Sequence, residues 1–128
     1  MLHPELFAIL LMLFTCITFV ISSYEKIADW EGTLQWMTPL FEKTILKNKV
    51  LWALYILVFF EVITAALGIA GLFRILWSND LDLAKLANLT AGISYLLMLI
   101  GQRLVKDFEG AKNLVIYFIT CLLGVVYI

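Results

Sequence analysis

At 128 residues the chain is of single-domain length, and 63% of it is hydrophobic against 15% charged, well outside the composition of soluble globular proteins. A formal net charge of −1 supplies no basic surplus for a nucleic-acid partner. A single histidine, His3, and two cysteines, Cys16 and Cys121, with no CxxC spacing argue against a haem, a histidine-based metal centre or a dithiol.

The charges are clustered, and the gaps between them define four apolar spans. Residues 6–24 carry no charge over 19 positions. No Lys or Arg precedes this stretch and no small-x-small cleavage site follows it, so it reads as a retained helix and not as a signal peptide. Leu13-Phe14-Thr15-Cys16 resembles a lipoprotein cleavage box but lacks the basic segment such a leader needs.

The connection 25–49 is amphipathic: Ile27, Trp30, Leu34, Met37 and Phe41 recur every three or four residues among charged and polar neighbours. Trp30 and Trp36 suit the headgroup level, so the segment is expected to lie in the membrane interface. Thr38-Pro39 predicts a break, with Thr38 capping a second short helix that begins at Pro39. The segment then serves either as a surface linker or as a lid over one end of the helices.

Residues 50–73 form the second span, interrupted only by Glu61. At about 1.5 Å per residue they reach roughly 36 Å, enough to cross a bilayer with tilt. Ser78-Asn79-Asp80-Leu81-Asp82 is a polar turn rich in capping residues, and residues 86–102 form a third, charge-free span. After a charged connection around 103–112 that holds Gly110, the last span covers 112–128. The short second and third connections predict antiparallel neighbours. The expected fold is all-α: an integral membrane, antiparallel four-transmembrane-helix bundle, a single domain, with an interfacial amphipathic segment between helices 1 and 2. Lys26, Lys43, Lys47, Lys49, Arg103, Lys106 and Lys112 fall on one side of that topology, and only Arg74 and Lys85 on the other. The imbalance places both termini on the non-cytoplasmic side.

Each span carries a polar or small-residue stripe at helical spacing, which in lipid turns toward neighbouring helices. The midpoints of the spans fall near Thr15, Glu61, Ser94-Tyr95 and Thr120-Cys121, a layer with hydroxyls but no Lys or Arg. Charge at that depth costs at least about 2.5–3.5 kcal/mol. Glu61 is therefore expected to be a neutral carboxyl, hydrogen-bonded to Tyr95, Tyr117 or a threonine such as Thr64. Two readings are open: a packing device, or a site that handles protons or a ligand.

A second polar cluster is expected where the first and third connections meet. Glu25, Lys26 and Asp29 leave the first helix there, and Gln102, Arg103 and Asp107 leave the third, with Arg103 and Asp107 at i,i+4. It reads either as interfacial salt-bridging or as a seat for the polar head of a lipid or quinone. Cys16 and Cys121 read as buried small hydrophobes, and the Asn88-Leu89-Thr90 sequon falls in or at the edge of a membrane helix.

Three stretches resemble the DoxX family of small four-helix membrane proteins. They are Ser-Ser-Tyr-Glu-Lys-Ile-Ala-Asp-Trp at 22–30, Phe-Glu-Val-Ile-Thr-Ala-Ala-Leu-Gly-Ile-Ala-Gly-Leu-Phe-Arg at 60–74, and Gly-Gln-Arg-Leu-Val-Lys-Asp-Phe-Glu-Gly-Ala at 101–111. Pro39 and Phe41 also match, and Lys26, Glu61, Arg74 and Arg103 are the charged positions that correspond. The resemblance implies a plasma-membrane protein tied in some relatives to thiosulfate oxidation by quinone, or to assemblies handling thiol and oxidative stress. Others of this design look like assembly factors. It implies no settled set of catalytic residues.

The expected function is that of a DoxX-like multi-pass inner-membrane subunit, accessory to a redox or respiratory assembly, and not an autonomous enzyme. Quinone is the candidate cofactor, and the bilayer, other membrane proteins or further copies of the chain are the expected partners. A purely structural or assembly subunit is the alternative; a small transporter is a weaker one, since four short helices leave little room for a water-filled path.

Overall fold

A computed structural model describes residues 4–78 and 80–127, with the side chains of residues 4, 5 and 127 outside the description. His3, Asn79 and the last residue of the fourth expected span, Ile128, lie outside the described residues. The chain is all-α, running α1 (Pro4–Ala28), α2 (Trp30–Leu40), α3 (Val50–Ser78), α4 (Asp82–Leu104) and α5 (Phe108–Tyr127). Four of these helices are long and apolar enough to cross a membrane: Leu6–Ala28, Val50–Ser78, Asp82–Leu104 and Phe108–Val126. The protein is a multi-pass membrane protein built as a four-helix bundle. Its helices overrun the charge-free spans at most ends, because a charge marks the edge of hydrocarbon and not the end of a hydrogen-bonded ladder.

The burial pattern explains how α3 sits. Val50, Leu54, Val58, Glu61, Thr64, Ala65, Gly68, Gly71 and Ile75 are buried, a stripe repeating every three or four residues, while Phe59, Ile69, Phe73 and Leu76 face outward. With lipid as solvent, the buried stripe is selected for small or polar character, and the large apolar side chains are left to the acyl chains. In order around the bundle, α1 packs on α3, α3 on α4 and α4 on α5, while α5 returns to α1 more lightly. Gly71 brings α3 onto α4, where an added Cβ would sit 3.0 Å from the Ala84 nitrogen. Gly68 does the same toward Cys16 of α1.

The connection between α1 and α3 departs from its expected break. Thr38 caps nothing; its hydroxyl donates back to the Leu34 carbonyl at 2.7 Å, and α2 continues through Pro39 to Leu40. Without an N–H, Pro39 leaves the Gln35 carbonyl without its i→i−4 bond, and the helix ends one residue later. Residues 41–49 then form successive turns in which Asn48 takes a φ of 65°, a conformation that asparagine tolerates. Buried Phe41 packs down toward Gly101 of α4. A Trp30–Tyr55 ring contact at 4.8 Å holds α2 against the first half of α3.

Candidate functional site

The polar layer expected around Glu61 is divided by the helix register. Gly68, and not Glu61, is level with Thr15 and Cys16 of α1. Seven residues of α3 separate Gly68 from Glu61, about 10 Å along the axis, which moves the carboxylate toward the end where α1 finishes. There it meets a cation. Lys26 Nζ lies 3.1 Å from Glu61 Oε1 and 3.3 Å from Oε2, and also donates to Ser22 Oγ at 2.6 Å. Ser22 Oγ in turn donates to Glu61 Oε1 at 3.2 Å. The Glu61 side chain is wholly buried, and that of Lys26 is 22% exposed.

This arrangement corrects the expectation that no Lys or Arg lies at the depth of Glu61. Helical side chains lean toward the N-terminus of their own helix, so Lys26, in the last turn of α1, reaches back into the bundle to the level of Ser22. Its four-carbon stem does the rest. The partners of the acid are Lys26 and the Ser22 hydroxyl, and not the hydroxyls of Tyr95 or Tyr117.

Those tyrosines form a separate unit. Tyr95 packs against Phe19 at 5.2 Å and Tyr117 at 5.7 Å, and Tyr117 continues to Phe14 at 5.9 Å. The Tyr95 hydroxyl, beside Thr18, is buried without a hydrogen bond of normal geometry. Thr64 donates to the Phe60 carbonyl at 2.7 Å and approaches Ser94 Oγ at 3.5 Å. Asn88 donates to the Cys121 carbonyl at 2.9 Å, which ties α4 to α5.

The second expected cluster is also divided. Asp29 and Asp107 are helix caps: Asp29 Oδ1 accepts from the Gly32 N–H at 3.2 Å, and Asp107 Oδ1 from the Gly110 N–H at 3.1 Å. Gly110 belongs to the first turn of α5 and not to the connection before it. Arg103 does not pair with Asp107; its guanidinium lies 4.9 Å from the centre of the Phe108 ring. A left-handed Lys106 (φ 62°) reverses the chain between them, and the Asp107 N–H returns to the Gln102 carbonyl at 2.9 Å. That reversal is why the i,i+4 helical pairing of 103 with 107 does not form.

At the opposite end of the bundle Arg74 meets Asp80 at 2.7 Å. Asp80 also accepts the Asp82 N–H at 3.0 Å, supplying the start of α4 from two residues upstream. Accepting that backbone N–H, with the Arg74 guanidinium beside it, holds the Asp80 carboxyl below the usual carboxylate range.

Two concave regions share Lys26. A shallow one of about 380 Å³ is bordered by Glu25, Asp29, Thr33 and Trp36. The other, about 450 Å³, lies between α2 with its following turns and the ends of α3, α4 and α5. Its walls are mostly apolar, including Met37, Leu40, Phe41, Ile56, Leu57, Leu97, Met98 and Val105, and its polar members are Lys26 and Gln102. Gln102 makes no side-chain hydrogen bond among the described residues. Of the six residues expected to gather at this end, Lys26 and Gln102 line this pocket; Glu25 and Asp29 line the shallow one, and Arg103 and Asp107 line neither. The apolar walls supplied by α2 and residues 41–46 carry no motif, so sequence spacing could not reveal the pocket. Among the described residues no group of His, Cys, Asp and Glu is arranged to hold a metal.

No protein-family model matches the chain, and no curated protein or solved structure matches it.

Proposed function

We propose that this chain is a multi-pass inner-membrane subunit that holds a membrane amphiphile, a quinone or a lipid, in the pocket beneath α2. The observation that carries this reading is the pocket itself: about 450 Å³, apolar on most sides, with Lys26 and Gln102 as its polar members. Ligand sites commonly combine that size with apolar walls and a few convergent polar groups. The resemblance of residues 22–30, 60–74 and 101–111 to DoxX proteins supports a place beside a redox or respiratory assembly. The orientation that goes with it, both termini outside the cytoplasm, rests on the excess of Lys and Arg in the α1–α3 and α4–α5 connections. In this reading α2 and the turns after it act as a lid, and Lys26 presents a donor to the head of the ligand.

The test is purification in mild detergent, followed by mass spectrometry and absorbance of the bound small molecules. The wild-type chain is expected to retain a quinone or lipid that Leu97→Trp, which fills the pocket, loses. Equal recovery from both proteins would overturn the proposal.

A second reading has its own support. Ser22, Lys26 and Glu61 link α1 to α3, and Asn88 links α4 to α5, so these polar groups also serve a structural subunit whose buried bonds specify helix pairing.

A further inference from the structure

The pair behind the pocket indicates which kind of head it accepts. We infer that the occupant is an uncharged amphiphile whose head presents carbonyl oxygens, and that anionic phospholipid heads are excluded; this rests on the pocket being an amphiphile site.

Among the described residues Lys26 is the only charged one lining the pocket, and both oxygens of the wholly buried Glu61 already face it. An entering phosphate meets a neutral pair, not a free cation. Capturing Lys26 would strand the Glu61 carboxylate in the apolar interior, where no other charged side chain among the described residues pairs with it. On its outer side Lys26 is flanked by Glu25 and Asp29, which border the adjoining depression and repel a second anion. Arg103 is over the Phe108 ring, and neither it nor Lys106 or Lys112 lines the pocket. Lys43, Lys47 and Lys49 are exposed and do not line it either.

A neutral carbonyl meets none of these penalties. It can share the Lys26 N–H now directed at Glu61 Oε2, the longer of the two carboxylate contacts at 3.3 Å, while Oε1 keeps its contact at 3.1 Å, and the Gln102 amide, which lines the same pocket, carries two further N–H donors. Leu57, Leu97 and Met98 surround the apolar body.

The experiment uses the full chain in nanodiscs of zwitterionic phosphatidylcholine, probed with a decyl-tailed 1,4-benzoquinone. Trp36 lines the pocket, so its fluorescence is expected to be quenched saturably, and the saturable part to vanish in Trp36→Phe. Diacylglycerol, neutral and carbonyl-bearing, is expected to relieve the quenching, whereas phosphatidylglycerol at the same mole fraction does so at least tenfold less effectively. In Glu61→Gln, which frees the charge of Lys26, phosphatidylglycerol is expected to gain at least tenfold as a competitor. Phosphatidylglycerol matching diacylglycerol in the wild type, or failing to gain in Glu61→Gln, would overturn the inference while leaving an amphiphile site in place. No saturable quenching by the benzoquinone and no competition by either lipid would overturn the site as well. Should Glu61→Gln not assemble, the wild-type competition decides alone.

Discussion

Lys26 and Glu61, 35 positions apart in the chain, form the ion pair that joins the end of α1 to the buried face of α3. The pair is asymmetric. The Glu61 side chain is wholly buried, while Lys26 retains partial exposure at the end of its helix.

That asymmetry predicts unequal single substitutions. Lys26→Met leaves a buried, uncompensated acid and is expected to cost about 3–5 kcal/mol, the range for breaking a buried pair. Glu61→Gln lets Lys26 extend toward the interface and is expected to cost only about 1–2 kcal/mol. The double variant should recover most of the loss. Unfolding in mixed micelles would measure all three, and equal single losses that simply add would contradict the pairing.

Two glycines should respond in opposite directions to alanine. A Cβ on Gly71 meets Ala84 backbone atoms at 3.0 and 3.1 Å, which cannot rotate away. Gly71→Ala is expected to destabilise by about 1–3 kcal/mol. On Gly92 the nearest atom is Phe118 Cε1 at 3.7 Å, an ordinary contact. There, the better helix propensity of alanine should leave stability unchanged or raise it by up to about 1 kcal/mol. Thermal melts in detergent distinguish the two.

Asp80 gives the α3–α4 connection a pH dependence. Its carboxyl is held below the ordinary range, so its stabilising contribution is complete above the unfolded value of about 3.9 and is lost as pH falls through the lower folded value. The group is partly exposed and its Arg74 partner exposed, and the effect is correspondingly small. Wild type should melt slightly above Asp80→Asn at pH 6, and the difference should shrink as pH falls below the unfolded value of about 3.9. A difference that persists unchanged at acid pH would show that charge is not its source.

The capping aspartates should each be worth a measurable amount. Asp29→Ala and Asp107→Ala remove an acceptor from the first turn of α2 and α5, at about 1 kcal/mol apiece. Because Asp29 starts α2, its loss should also increase proteolysis within residues 30–49, while Asp107→Ala should not. Limited proteolysis of the reconstituted protein checks this.

Much of the architecture was legible from the sequence. Charge-free stretches announced the spanning helices, and the polar and small-residue stripe expected on each span is, in α3, the buried face that holds Glu61, Thr64, Gly68 and Gly71. The capping role of Asp29 and Asp107 was also readable, since Asp-Trp-Glu-Gly at 29–32 and Asp-Phe-Glu-Gly at 107–110 share an aspartate three residues before a glycine. Reading those acids as members of a charged cluster missed that local signal. The partner of Glu61 was not readable in the same way, because counting from span midpoints set α3 about 10 Å out of register with α1.

Alone, the sequence determined what the bilayer demands: four segments apolar enough to enter it, a stripe on each that must avoid lipid, and an acid that needs compensation. These follow from composition and periodicity, which depend only on near neighbours along the chain. Tertiary structure decided which cation answers that acid, that the tyrosines stack apart from it, and that α2 and residues 41–46 roof a pocket beside Lys26. Such pairings depend on how one helix slides against another, and it is packing at Gly68 and Gly71, not any periodicity, that sets the slide.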